Sequence, residues 1–120
     1  MKKNNPNKAL IKHDKILADL EQRIKEYNRY TIIAKNVNYE TSEGVRGEVD
    51  LLCYDSKYNY WHFYEVKSNV KTKYHFKAFR QYQKFIDSFP ELNIKGILVN
   101  DKHIYRLGWN QNIYILVSLY

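Results

Sequence analysis

Two carboxylates and a lysine form the pattern with the clearest chemical meaning in this chain of 120 residues. Asp50 lies inside one run of apolar residues, and Glu65 and Lys67 lie at the end of the next such run. Side chains two apart on a strand share a face, so Glu65 and Lys67 should point the same way. If the turn between the runs is centred between Lys57 and Tyr58, Asp50 lies directly opposite Glu65 in a β-hairpin.

Two facing carboxylates on adjacent strands repel each other and destabilise the sheet by about 0.2–1 kcal/mol, so a chain that keeps them needs a compensating charge. Magnesium supplies it, because Mg²⁺ accepts oxygen ligands from one or two carboxylates, keeps several waters and can also hold a substrate phosphate. Lys67 could then orient or help deprotonate the attacking water and stabilise the charge that builds on phosphorus. The three residues therefore predict a metal-dependent phosphodiesterase site.

The elements that must position these residues follow from the spacing of apolar side chains. Apolar residues at three- and four-residue steps predict an amphipathic helix over residues 8–28 and a second helix over residues 74–89, which Pro90 ends. Aromatic and β-branched runs predict the strands, which cover residues 30–39, 48–54, 60–67, 94–99, 103–107 and 112–119. The order α-β-β-β-α-β-β-β predicts a single α/β domain over residues 1–120, with a mixed central sheet flanked by helices. Residues 1–7 are expected to be flexible.

Alternation along the first strand of the hairpin assigns neighbouring side chains to faces. It places Asp50 on one face with Leu52. It places Val49 on the other face, with Leu51 and Cys53.

The charge of the chain favours a polyanionic partner. Lys and Arg number 20 against 13 Asp and Glu, a net charge of +7, and between Lys67 and Lys84 there are six cations and no acid. Such a run alone is most often a solvated helix face. Beside the carboxylates, it would neutralise DNA phosphates with a salt-dependent, sequence-independent affinity. The cations expected to contact DNA are Lys71, Lys73, Lys77, Arg80 and Lys84.

The segments Gly47-Glu48-Val49-Asp50-Leu51-Leu52 and Phe63-Tyr64-Glu65-Val66-Lys67-Ser68 resemble the core of PD-(D/E)XK nucleases, most closely archaeal Holliday junction resolvases and related small endonuclease-like proteins. The resemblance covers nearly the whole domain, although Val49 stands where the family name has Pro. It implies a restriction-endonuclease-like core and a Mg²⁺-dependent DNA endonuclease, with Mn²⁺ as a substitute, that acts on branched DNA in recombination. It further implies that Asp50, Glu65 and the main-chain carbonyl of Val66 bind the metal while Lys67 assists the attacking water.

The resemblance also implies two contributions from the helices. The family often adds an acid from the first helix, and we expect Glu21 to hold metal or orient a water because it flanks the apolar stripe. Asp14, one heptad earlier, is the alternative. In the second helix, Gln81 followed four residues later by Phe85 resembles a Gln-and-Tyr motif of many of these nucleases, although Phe replaces the usual Tyr. Gln81 is therefore added to the DNA-binding residues.

Several other classes of protein are excluded or disfavoured. The single Cys53 cannot form an internal disulfide and should be a small buried thiol, which favours a reducing compartment, the cytoplasm, or the host cytoplasm if the source is viral. No apolar run is long enough to cross a membrane or serve as a signal core, and no Gly-rich phosphate loop indicates a nucleotide cofactor. The four histidines lack zinc-like spacing and are expected to be surface or packing residues, although His75 could contact a phosphate.

Late aromatic and aliphatic residues could exceed what one core can bury, and an isologous homodimer would explain them. The equally strong alternative is that they form the core of a strand-rich domain. They are Tyr105, Trp109, Ile113, Tyr114, Ile115 and Tyr120.

Three functions stay open from the sequence. The first is a structure-specific endonuclease of the junction-resolvase kind, and the second is a general or restriction-like DNA nuclease of the same fold. The third is a non-catalytic nucleic-acid-binding module, which the joint presence of Asp50, Glu65 and Lys67 disfavours. Substrate geometry separates the first two and cannot be read from residue types.

Overall fold

The computed structural model of the chain is a six-stranded mixed β-sheet with one helix packed on each face. It describes residues 8–28, 30–68, 72–101, 103–107 and 113–118. The predicted α/β class and element order are confirmed, and the segment 1–7, expected to be flexible, lies outside the described residues. The elements are α1 (Lys8–Lys25), β1 (Tyr30–Glu40), β2 (Arg46–Asp55), β3 (Tyr60–Val66), α2 (Thr72–Ser88), β4 (Ile94–Val99), β5 (His103–Leu107) and β6 (Ile113–Ser118).

The strands lie in the sheet in the order in which they follow along the chain. Neighbouring strands are antiparallel except β3 and β4, which are parallel and are joined through α2. The β2–β3 hairpin has the register predicted from its turn, with Leu51 opposite Tyr64 and Asp55 opposite Tyr60. The next two residues in this register are Asp50 and Glu65, at the carboxyl end of β3.

Helix α1 packs its apolar stripe on one face of the sheet. The buried residues of this layer are Ile16, Leu17, Leu20, Ile24, Leu51, Cys53, Tyr64, Val66, Ile97 and Val99. Full burial of one such aliphatic side chain contributes about 1.5–3 kcal/mol, so this contact fixes α1 against β2, β3 and β4. Cys53 is a fully buried free thiol, as expected, and burial raises its pKa to about 12.

Helix α2 packs on the opposite face. Phe85 contacts a cluster with Leu52 and Phe63, and nearer the start of the helix Ala78 and Phe79 pack with Leu98 and Leu107.

One residue of β2 lies on a different face from the one predicted. Val49 packs in the Phe85 cluster with Leu52, whereas simple alternation assigned it to the face of Leu51 and Cys53. The strand pairing supplies the reason, because the paired register of β2 with β3 runs only as far as Leu51. The regular alternation of β2 therefore breaks at Asp50.

The proposed dimer residues are only partly described. Tyr105 is half-buried and packs beside the cluster that contains Phe79 and Leu98. For the other residues of this set the structure describes no side chain, so the homodimer stays a prediction. The rest are Trp109, Ile113, Tyr114, Ile115 and Tyr120. Neither of the two described helices has the combination of length and apolar character that a membrane span requires.

Candidate active site

Asp50 lies where β2 and β3 stop pairing, and its carboxylate replaces the missing strand contact. The backbone N–H of Val66 donates a hydrogen bond to Asp50 Oδ2 at 2.7 Å. The next amide along the chain turns the other way, because Lys67 N–H donates to the Val99 carbonyl at 3.0 Å. Since the N–H and C=O of a strand residue face the same neighbouring strand, the Val66 carbonyl also faces the side of Asp50.

Glu65 is a carboxylate in a buried position, only 4% exposed. Burial, together with the negative charge of Asp50, raises the pKa of its carboxyl to about 8, and Lys67 and His13 oppose the shift. A buried carboxylate next to a second carboxylate is stable only when a proton or a cation neutralises it. The pair predicted from the hairpin register is therefore electrostatically coupled in the structure.

Lys67 provides a cation beside Glu65. Its Nζ lies 3.5 Å from Glu65 Oε2, and about a quarter of the side chain, 24%, is exposed. The two side chains approach each other as the two-residue spacing predicted. The ammonium group can therefore contact both Glu65 and a molecule that approaches from solvent.

His13 is the residue that α1 brings to the site. Its Nε2 lies 3.4 Å from Asp50 Oδ2, and its Nδ1 lies 3.6 Å from Asp14 Oδ1. The contact with Asp50 is the main cause of its raised pKa. His13 is therefore a half-buried neighbour of Asp50 that the residue pattern did not assign to the site. The sequence feature that could have indicated this contact is the position of His13 inside the apolar stripe of α1, one turn before Leu17. A polar side chain at such a position needs a partner.

Glu21 does not join the two carboxylates in the structure. Its carboxylate lies 2.9 Å from Lys35 Nζ and 3.7 Å from Lys25 Nζ, and the Lys35 contact is the main cause of its lowered pKa. Glu21 follows His13 by eight residues, which is about 12 Å along a helix axis. At that distance from His13, Glu21 lies beyond the end of the β2–β3 hairpin and next to β1. Among the described contacts, the alternative acid, Asp14, lies beside His13 and not beside the two carboxylates.

The basic residues of α2 have a different placement from the carboxylates. Lys77, Arg80 and Lys84 are exposed on the helix, and the described contacts place none of them against Asp50 or Glu65. Lys71 and the side chain of Lys73 lie outside the described part of the structure. A DNA backbone would have to extend beyond the carboxylate pair to reach the three exposed cations.

Gln81 is half-buried and lines a groove of about 520 Å³ together with Lys84. The other walls of this groove come from the adjacent ends of β1 and β2, among them Gly47 and Glu48, which lie just before Asp50 in the chain. Gln81 and Lys84 are therefore the predicted DNA-binding residues that line one groove with residues of β2.

The possible metal ligands form a small oxygen set. Among the residues that the structure describes, no group of three or more His, Cys, Asp or Glu side chains is arranged to hold a metal ion. What converges is two carboxylates, from Asp50 and Glu65, and the carbonyl side of Val66. Such a set suits Mg²⁺, which binds through one or two carboxylates and keeps several waters.

Comparisons of the chain with protein-family models, with curated proteins and with solved structures found no match. The functional argument therefore depends on the residues and their geometry.

Proposed function

We propose that this chain is a Mg²⁺-dependent endonuclease that hydrolyses phosphodiester bonds in DNA. The observation that carries the proposal is the buried Glu65, whose pKa is raised to about 8 by burial and by Asp50. A bound cation would neutralise this buried carboxylate pair, as a proton does when no ion is bound. The PD-(D/E)XK-like residues of the sequence support the same function.

The residues present fit a hard divalent cation. Asp50 and Glu65 would hold it through carboxylate oxygens and Val66 through its carbonyl, which are the ligand types that Mg²⁺ and Mn²⁺ prefer. When bound, the ion would favour deprotonation of water and neutralise negative charge on the phosphate.

The other groups of the site would have separate roles in hydrolysis. Lys67, next to Glu65, places a positive charge where the attacking water loses its proton and where the phosphate gains charge. His13 and the Val66 amide hold the Asp50 carboxylate from two sides, so they act as positioning groups. Hydrolysis forms one P–O bond from water and breaks the P–O bond to the leaving sugar oxygen, which takes up a proton.

DNA is the proposed polyanion. The net charge of +7 and the exposed cations of α2 favour phosphate backbones without reading sequence. A narrower proposal is a junction-resolving homodimer, because two symmetry-related sites could cut two strands of a four-way junction. Size-exclusion chromatography with light scattering would measure the oligomeric state, and a monomer that cuts linear DNA as well as junctions would favour the general nuclease.

The decisive experiment measures cleavage of labelled linear, flapped and four-way DNA with Mg²⁺ and with EDTA. We expect Mg²⁺-dependent cleavage by the native chain and a loss of at least about 100-fold for Asp50→Asn, which removes a charged ligand. Asp19→Asn, an exposed acid on α1, is the matched control and should cleave normally. Undiminished cleavage by Asp50→Asn would contradict the assigned site. DNA binding without any cleavage would favour the non-catalytic module instead.

A further inference from the structure

Phe76 is a large apolar side chain that the fold leaves in contact with water. It precedes Phe79 by three residues, so it continues the apolar spacing by which α2 packs on the sheet. Phe79 is 9% exposed, whereas Phe76 is 43% exposed. The proposed hydrolysis gives this ring no role. A single exposed apolar residue is ordinary on a protein surface, so the meaning of Phe76 depends on its neighbours.

The charged residues near Phe76 on the exposed face of α2 are cations. Successive residues of an α-helix are about 100° apart around its axis, so Arg80, four positions later, lies about 40° from Phe76 and one turn away. Arg80, Lys77 and Lys84 are all exposed. The single acid in the sequence of α2 is Asp87, at the other end of the helix. The ring is therefore an exposed apolar surface within a positively charged one.

The start of α2 lies at the same end of the sheet as the carboxylates. Phe79 packs in one cluster with Leu98, and Leu98 is the β4 residue in register with Glu65 of β3. Neighbouring strands are about 4.8 Å apart, so this part of α2 packs over the strand next to Glu65. Gln81 lies on the side of α2 that faces the ends of β1 and β2, and Phe76 is about 140° from it around the helix axis. A DNA strand that leaves the carboxylates and crosses the exposed face of α2 would therefore reach Phe76 after about one helix diameter, 10–12 Å.

An exposed aromatic ring beside cations is an arrangement that binds single-stranded nucleic acid. A nucleobase of any type can stack on such a ring, while the cations bind the phosphates of the backbone. The bases of a duplex are already stacked on one another and must be extruded before they can contact a protein ring. Cations alone would bind the phosphates of any DNA without regard to its bases. Phe76 therefore adds a preference for unpaired DNA that the charge of α2 does not supply.

We propose that Phe76 stacks with one unpaired base of the DNA near the cut, while Arg80 binds a phosphate next to that base. At about 3.4 Å per nucleotide of a strand, one helix diameter places this base within about three nucleotides of the scissile phosphate. The inference rests on the proposed nuclease function and specifies its substrate as DNA with a single-stranded segment beside the cut.

The test measures DNA binding by the full chain in EDTA, where no cleavage interferes. Fluorescence anisotropy compares a fully paired duplex, a duplex with a single-stranded flap and a single strand. Phe76→Leu keeps an apolar side chain but loses the flat ring, so we expect it to weaken binding of the flapped and single-stranded DNA about ten-fold. Its binding of the duplex should change less than two-fold. Phe76→Trp keeps a flat ring and should bind unpaired DNA at least as tightly as the native chain does.

Tyr58→Leu is the matched control, because Tyr58 is an aromatic residue of the β2–β3 turn that is 56% exposed, with Lys57 Nζ 5.2 Å from its ring. It should bind all three DNAs as the native chain does. Equal weakening of duplex and unpaired DNA by Phe76→Leu, or no weakening, would overturn the inference while leaving a nuclease in place. A changed oligomeric state of Phe76→Leu in light scattering would also overturn it and would assign the ring to a protein interface. The expected binding pattern without any Mg²⁺-dependent cleavage would instead contradict the nuclease function and leave the stacking contact in place.

Discussion

At the scale of single residues, the burial of Glu65 sets the pH dependence of stability. Its pKa is about 8 in the folded chain, well above the ordinary value of 4.5 that applies when the chain is unfolded. Between these values the native state keeps a proton that the unfolded state has released, so the free energy of unfolding falls as pH rises. The raised pKa of His13 acts in the same direction above its ordinary value.

We therefore expect the metal-free protein to lose stability from about pH 5 to pH 8, at up to ~1 kcal/mol per pH unit. Glu65→Gln keeps the shape of the side chain without its charge, so it should remove most of this slope below the range where His13 titrates. Urea unfolding in EDTA at several pH values measures both proteins. A Glu65→Gln slope equal to that of the native chain would show that Glu65 ionises normally.

A second prediction at this scale compares the effects of two α1 residues, His13 and Glu21, on DNA cleavage. His13→Ala removes a contact to Asp50 at 3.4 Å, so we expect kcat/KM for DNA cleavage to fall about ten-fold, the order of effect seen when a residue that supports a metal ligand is removed. Glu21→Ala breaks only a contact with Lys35 and Lys25 that is partly exposed, and it should change cleavage less than two-fold. The reverse ranking would restore Glu21 as the contributing acid.

At the scale of elements, the β-hairpin could be predicted from the sequence and the approach of α1 could not. The turn around Lys57 and the period-two pattern determine which residues face each other, and both are local properties. The apolar stripe of α1 packs on Leu51 and Val66, and this packing determines which turn of the helix lies over the end of β3. It is a long-range contact that residue types do not specify. The predicted acid, Glu21, therefore lies eight residues beyond the helix position that reaches the site. The face of Val49 could not be predicted because the break in pairing at Asp50 leaves no mark in the apolar pattern.

The contact between the β1–β2 ends and α2 depends on Gly47. A Cβ at this position would overlap the phenol ring of Tyr39, its cross-strand partner, which Phe85 and Phe89 hold in place. Gly47→Ala should therefore destabilise the fold by about 1–3 kcal/mol, the usual cost of overpacking. In a Tyr39→Ala background the same change should cost less than ~1 kcal/mol, because the ring is gone. Urea unfolding measures this difference, and equal costs in both backgrounds would show that the overlap does not occur.

The exposed face of α2 makes a separate prediction about salt. Replacing Lys77, Arg80 and Lys84 by Ala should weaken duplex DNA binding and lower the slope of log K against log salt by up to about 0.9 for each phosphate that the chain no longer neutralises. Fluorescence anisotropy in EDTA measures binding without cleavage. Lys95→Ala is the control, because Lys95 Nζ lies 4.2 Å from the Tyr60 ring at the opposite end of the sheet. An equal reduction of the slope in the control would place the DNA elsewhere.

At the scale of the whole molecule, the candidate site exists only when three elements meet. His13 comes from α1, Asp50 from β2, and Glu65 with Lys67 from the end of β3, so the groups are up to 54 residues apart in the chain. They lie at the carboxyl end of β3, next to the parallel strand β4. This is the sheet edge at which ligands bind in open α/β folds. An ion held there would link the layers on both faces of the sheet and should stabilise the fold as a unit.

Binding of Mg²⁺ should therefore raise the midpoint of thermal unfolding, because an ion that binds only the folded chain stabilises it by RT ln(1 + [L]/Kd), about 2.7 kcal/mol at 100 times Kd. For a chain of this size that is a shift of several degrees between EDTA and saturating MgCl₂. The shift should be larger at pH 8 than at pH 6, since at the lower pH the ion must displace the proton of Glu65. Asp50→Asn should abolish the shift and Asp19→Asn should keep it. A shift that survives Asp50→Asn, or that grows as pH falls, would mean that the ion binds elsewhere.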